Sequence, residues 1–212
     1  MSPAPRLDPP LLQRARRSLL RRDPRLGGLI RRVGPCGLRR RAGAYEFLVR
    51  SVLYQQLAGA AARAIERRFR EAFGGTIPTA ERLARATPAR LRKLGLSRQK
   101  AEAVRAIARA FRDGEVNPRR LPWLSDDEVV AELTRIRGVG VWTAHMLLMF
   151  SLGRPDVLPV GDYGVRKGAQ RLYGLDQLPG PARLQALGEH WRPYRSVASW
   201  YLWRAVDAIP PG

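Results

Sequence analysis

The chain has 212 residues, a length that suits one compact domain or two small lobes sharing a core. Its 39 Lys+Arg against 18 Asp+Glu leave a formal charge of +21, which favours a polyanionic partner and salt-sensitive binding. A single cysteine, Cys36, excludes an intramolecular disulfide, a cysteine-rich zinc site and a four-cysteine iron–sulfur cluster, and two histidines, His145 and His190, are too few for a histidine metal centre. Only Lys93, Lys100 and Lys167 are lysines; the other basic residues are arginines. A G+C-rich genome would explain that preference, but not so large a net charge. There is no signal-peptide pattern and no apolar run of ~18 residues, so a soluble, cytoplasmic protein is expected, with no membrane contact and, if the partner is DNA, association with the nucleoid.

Residues 1–10 are Pro-rich and are expected to be a flexible N-terminus. Leu11 to about Arg32 predicts an Arg-studded amphipathic helical pair, broken near Pro24 and Gly27-Gly28 and ended by Gly34-Pro35. A helix follows from Ala44 to about Gly59, and another to Phe73, with Ile65, Phe69 and Phe73 at i, i+4 and i+8. Thr79 and Thr87-Pro88 carry N-cap signals for two short helices, the second closed by Gly95. Ser97 caps a helix to about Asp113 whose apolar stripe is Val104, Ile107, Ala108 and Phe111. Ser125 and Glu128 form a capping box for the next helix. The last 45 residues hold helical pieces at 164–173, 182–191 and 196–208. With no period-2 strand and no internal repeat, the fold class is all-α.

Between two of these helices lies Gly138-Val139-Gly140. No strand precedes it, so it is not a dinucleotide fingerprint. A glycine hairpin between helices can instead lay backbone N–H groups against a nucleic-acid phosphate, or simply be a tight turn. Val139 can tuck between the helices. Asp162 lies 22 residues beyond Gly140 at the mouth of another helix. It reads as an N-cap, as a catalytic carboxylate, or as both, since a cap holds the carboxylate in place. Asp156 is the competing carboxylate and reads as a turn residue paired to Arg154. Gln55-Gln56 after Val52-Leu53-Tyr54 is unusual: such amides line a polar cleft, enter a DNA stack, or sit at a helix end. Trp142, Trp191, Tyr194, Trp200, Tyr201 and Trp203 are mostly expected in the core, with a few free to stack on an extruded base. His145 reads as packing.

These blocks together resemble the helix-hairpin-helix DNA glycosylase superfamily, and within it the 3-methyladenine DNA glycosylase II branch. The resemblance covers roughly residues 45–208. It is carried by Ile136–Ala144 (IRGVGVWTA), Asp156–Asp162 (DVLPVGD), Tyr54–Leu57 (YQQL), Gly95–Ala101 (GLSRQKA) and Trp191–Ser196 (WRPYRS). It implies a two-lobed helical bundle with the active-site cleft between the lobes. One lobe would be built from 11–50 and 165–212, the other from 51–164 with the helix-hairpin-helix at 126–152. It implies Asp162 as the catalytic aspartate. Arg137, Gly138, Val139, Gly140 and Thr143 would form the DNA-gripping hairpin, with Na+ or K+ as a possible occupant at the backbone of Gly138 and Gly140. Gln56 matches the residue that fills the gap left by the flipped nucleotide. Tyr54, Gln55, Trp142 and Trp203 are the further expected substrate contacts.

Lyase-type members such as endonuclease III carry an imine-forming lysine where this chain has Trp142, so the resemblance implies a monofunctional enzyme. It would excise alkylated bases from double-stranded DNA and leave an abasic site, as a monomer requiring no cofactor and no iron–sulfur cluster. Longer bacterial members begin with an extra α/β domain, whereas here about two helices precede the match. A glycosylase for ethenoadenine, hypoxanthine or oxidised purines, and a non-catalytic helix-hairpin-helix DNA-binding module, remain open at this point.

Overall fold

The computed structural model describes residues 5–208, so the expectation for residues 1–4 lies outside the described residues. Among the described residues there are helices and no strands, and no helix is long and apolar enough to cross a membrane. The chain divides into two compact units, 41–147 and 5–40 with 148–208. The sequence reading placed these divisions later, at 50/51 and 164/165. Tertiary contacts move them: helix α3 (Ala44–Tyr54) packs on α7 (Arg98–Arg112), and the loop before Asp162 is bonded to the last helix. Asp162 therefore belongs to the unit built from both ends of the chain.

The 41–147 unit contains α3, α4 (Gly59–Ala72), α5 (Ala80–Arg85), α6 (Pro88–Lys93), α7, α8 (Asp126–Thr134) and α9 (Val141–Leu147). Helix α7 is its spine, packed against α3, α5 and α6, and buries Ala101, Ala103, Val104, Ile107, Ala108 and Ala110. The caps act as the sequence predicts. Thr79, Thr87 and Ser97 accept from Arg82, Arg90 and Lys100 amides, and Ser125 and Glu128 close a reciprocal capping box; each cap contributes about 1 kcal/mol. Helix α3 stops at Tyr54 instead of running to Gly59. Gln55 turns extended, and Gln56 takes φ 55, a left-handed conformation that a helix does not admit.

The other unit contains α1 (Pro9–Arg22), α2 (Pro24–Val33), a π-helical turn at Leu148–Leu152, α10 (Tyr163–Tyr173), α11 (Pro181–Gly188) and α12 (Arg195–Ala208). The break in the N-terminal pair comes at Asp23-Pro24, as expected. Gly27 and Gly28 do not break the chain; they lie inside α2. The lost Cβ has a use at Gly27, where one would sit 3.1 Å from the Leu20 carbonyl oxygen of α1. The core gathers Leu19, Ile30, Val165, Leu184, Trp191, Val197, Tyr201 and Leu202. Asp23 ties it together. Its Oδ1 accepts from the Leu26 amide at 2.9 Å, and its Oδ2 accepts from Trp191 Nε1 at 2.9 Å, meets His190 Nε2 at 3.0 Å and accepts from the Tyr173 hydroxyl.

Helices α10 and α12 approach most tightly at Gly168, where a Cβ would fall 2.0 Å from the Leu202 carbonyl oxygen. Gly168→Ala should force the pair apart and cost roughly 1–3 kcal/mol. A thermal melt within experimental error of wild type would refute the close approach. Burial alone would raise the Asp23 carboxyl; the bonds from Tyr173, Leu26, Trp191 and His190 outweigh it and hold the group below the usual carboxylate range. A depressed folded-state pKa gives stability that is fully present above the unfolded value of about 3.9 and is lost as pH falls through the folded value. Asp23→Asn should lower stability at neutral pH by roughly 2–4 kcal/mol, because an NH2 must then face one of the donors. The same substitution should flatten the acid limb of a melting-temperature profile below pH 4; an unchanged limb would remove Asp23 from the acid response.

Candidate functional site

The loop that delivers Asp162 is fixed before the helix begins. Ser196 Oγ donates to the Arg154 carbonyl at 2.7 Å and accepts from the Val157 amide at 2.9 Å. Asp156 is held by Arg195 (Nε to Oδ1, 2.9 Å) and Arg192 (Nη1 to Oδ2, 2.9 Å), not by Arg154 as the sequence suggested. Asp156 is thus a structural anchor, and Asp162 is the carboxylate left at the helix mouth. The Asp162 amide donates to Pro159 O at 2.8 Å, which closes the turn.

Asp162 is the N-cap of α10, with its Oδ1 accepting from the Val165 amide at 2.8 Å. The same oxygen accepts from Trp203 Nε1 at 2.8 Å. Trp203 is stacked on Phe150 with ring centroids 5.8 Å apart. Gly164 leaves room for this arrangement, since a Cβ there would meet Trp203 Cδ1 at 2.8 Å. Asp162 is only 8% exposed. The Trp203 indole and the Val165 amide together fix the orientation of this carboxylate. Tyr163, 67% exposed beside it, is an open aromatic face that sequence reasoning passed over. The signal was its place next to Asp162 at the start of a helix. Lys167 is engaged with Gln170 Oε1 at 2.9 Å.

The hairpin lies in the 41–147 unit, and its two glycines do different work. Gly138 has φ +87, and a Cβ there would fall 2.4 Å from the Ala103 Cβ, so this glycine serves the turn and its seat on α7. Gly140 has open space where a Cβ would go. Val139 is buried, as expected, and its amide is spent on Ile136 O at 3.0 Å. The amides of the first turn of α9 follow directly on this turn. Arg137 is largely exposed and pairs with Glu102 of α7 at 2.7 Å. The Thr143 side chain is 2% exposed, so what Thr143 can offer the expected DNA contact is its amide in the first turn of α9.

The segment after α3 also departs from expectation. The Tyr54 hydroxyl donates to Glu66 Oε2 at 2.7 Å. Glu66 also binds Arg50 and Arg70, so Tyr54 anchors α3 to α4. Gln55 Nε2 donates to the Gly138 carbonyl at 3.2 Å and braces the hairpin. Lys100 Nζ donates to Leu53 O at 2.8 Å and fixes the end of α3. Gln56 is exposed in its left-handed conformation, and Leu57 beside it is 38% exposed. Within this unit the structure brings Gln55, Gly138 and Arg137 together around α7; Trp142 is 46% exposed on α9. In the other unit it brings Asp162, Trp203 and Phe150 together.

Of the carbonyls offered by the sequence to Na+ or K+, Gly138 O accepts from Gln55 at 3.2 Å and Gly140 O accepts from the Ala144 amide at 3.0 Å, and each keeps a second lone pair.

Residues 49–193 match the HhH-GPD superfamily base excision DNA repair protein family. DNA-3-methyladenine glycosylase 1 of Schizosaccharomyces pombe is 37% identical over 162 residues, covering 76% of this chain and 71% of that protein. YfjP of Bacillus subtilis, named as a DNA-3-methyladenine glycosylase, is 34% identical over 169 residues, but the chain spans only 59% of its length. The S. pombe 3-methyladenine DNA glycosylase Mag1, solved in complex with abasic DNA, superposes with a TM-score of 0.80 at 33% identity, covering 90% of this chain and 95% of that one. The likeness takes in the Asp162 loop, the hairpin and the segment after α3 alike, and the chain belongs to the HhH-GPD superfamily of base excision DNA repair proteins.

Proposed function

We propose that this chain is a monofunctional DNA glycosylase that flips alkylated purines out of double-stranded DNA and hydrolyses their N-glycosidic bond. The observation that carries this reading is Asp162: a buried carboxylate, locked by a helix amide and an indole N–H, in a chain of +21 charge.

Alkylation at N3 or N7 puts positive charge on the purine ring and makes it a good leaving group. The C1′–N bond breaks with oxocarbenium character. Asp162 stabilises that cation electrostatically and orients or deprotonates the attacking water. One carboxylate is enough because a cationic base needs no general acid to leave. Aromatic faces such as Trp203 and Tyr163 favour an electron-poor cationic base. Trp142 cannot form an imine, and Lys167 is held by Gln170, which supports hydrolysis without strand cleavage. Flipping costs a few kcal/mol. The α9 amides on a phosphate, and the exposed Gln56–Leu57 tip entering the stack, offset it.

The 3-methyladenine names of the relatives support this lesion class over oxidised bases. The chain would act on DNA as a monomer. A purely binding module would keep the hairpin and the charge, but would have no use for a carboxylate beside the open aromatic face of Tyr163.

Asp162→Asn keeps a good N-cap and an acceptor for Trp203, so the fold should stand while base release from methylated duplex DNA falls by roughly 10²–10⁴-fold. Duplex binding should persist, and nicks in wild-type reactions should appear only after alkali. Full activity of the variant removes Asp162 from the chemistry; nicking without alkali means that a lysine acts. Gly140→Asp meets no steric obstacle, so its effect is electrostatic. It should weaken binding to every sequence and lower the slope of log K against log salt by about 1. Unchanged affinity would remove the hairpin from the interface.

A further inference from the structure

Three concave surfaces of the 41–147 unit differ in their charge. One, of about 500 Å³, sets Arg63 and Arg67 beside Glu66 and Glu71. A second, of about 230 Å³, sets Arg135 and Arg137 beside Asp113 and Glu115. The third, of about 720 Å³ at the α6–α7 elbow, has Arg92, Lys93 and Arg98 in its lining and no carboxylate. Its turn is made by Gly95 at φ +99, and a Cβ there would meet the guanidinium of Arg68 at 2.7 Å, so a fourth cation stands at the rim. Ser97 Oγ, also in the lining, accepts from the Lys100 amide at 3.2 Å and keeps its own proton to donate.

We propose that this concavity is a second phosphate site, which holds the DNA backbone alongside the hairpin; the proposal rests on the DNA-binding reading above. Three features favour a backbone phosphate over a small anionic metabolite. Arg92, Lys93, Ser97 and Arg98 are all exposed, so the surface is open to a passing strand and does not enclose a molecule. The cations outnumber what one small anion would need. The site is also in register with the hairpin. Glu102 pairs with Arg98 at 3.7 Å and with Arg137 at 2.7 Å, which puts the concavity and the hairpin on one face of α7. From Arg98 to Ala103, where Gly138 seats, is about 7.5 Å along the helix. A DNA strand presents a charge about every 3.4 Å of duplex axis, so that separation is of the order of two phosphates.

The test is anisotropy of an undamaged duplex titrated with the full chain over a range of NaCl. Arg92→Gln with Lys93→Gln should lower the slope of log K against log salt by about 1–2. The control, Arg63→Gln with Arg67→Gln, removes the same charge from the carboxylate-bearing concavity and should move the slope by less than half as much. Melting temperatures verify folding, and Arg98→Gln serves as the second variant. Equal effects of the two pairs overturn the proposal, because net charge alone would then explain them. If Gly140→Asp lowers the slope while Arg92→Gln with Lys93→Gln does not, the second site fails and the DNA reading stands. If neither changes binding, the DNA reading itself fails.

Discussion

The hydrogen bond from Trp203 Nε1 to Asp162 Oδ1 connects the core of the terminal unit to the chemistry proposed for it. It forms because α10 and α12 can touch at Gly168, where the Leu202 carbonyl occupies the space of a side chain. One residue on, Trp203 reaches the first turn of α10 over Gly164. Two small residues one helical turn apart thus bring the indole to the carboxylate. A carboxylate with two fixed donors on one oxygen has little rotational freedom, so its negative field is set before any substrate arrives. Preorganised charge of this kind needs no reorganisation during the reaction.

The loop before Asp162 is held with similar redundancy. Ser196 and Arg195, at the start of α12, bind both flanks of the Arg154–Val157 segment. Helix α12 therefore positions Asp162 from two ends, by its first turn through the loop and by Trp203 through the side chain. This explains why Asp156, which also sits in a Pro-flanked turn, is structural: both of its oxygens are committed to arginines.

Sequence legibility followed the range of the interaction. The caps at Thr79, Thr87, Ser97 and Ser125 act over three residues and were readable directly, as was Asp162 at the mouth of α10. The roles of Tyr54 and Gln55 were not. Both amide and phenol looked like surface or substrate groups, but Gln55 meets Gly138, 83 positions away, and Tyr54 meets a carboxylate on the next helix. The burial of the Thr143 side chain was not readable either, because a helix face can be assigned only when its neighbours are known. Gly27-Gly28 reads locally as a breaker, yet the contact with Leu20 makes the missing side chain an advantage within a helix. The two hairpin glycines answer to different constraints: Gly138 to Ala103 and a positive φ, whereas a Cβ at Gly140 would meet open space.

Helix α7 gives the 41–147 unit its functional geometry. Lys100 fixes the end of α3 and so the Gln56–Leu57 tip. Glu102 takes Arg137 from the hairpin and Arg98 from the elbow, while Ala103 seats Gly138. Three residues within about one turn, Lys100, Glu102 and Ala103, thereby set the tip and the hairpin against one rigid element. A DNA-binding surface mounted this way loses little conformational entropy on association, because its parts are already in register. Burial lowers the Lys100 ammonium pKa, by desolvation. The group is retained because its proton caps a carbonyl that α3 leaves unpaired at its end. The large arginine excess supplies attraction at a distance; the short contacts along α7 decide where on the surface that attraction acts.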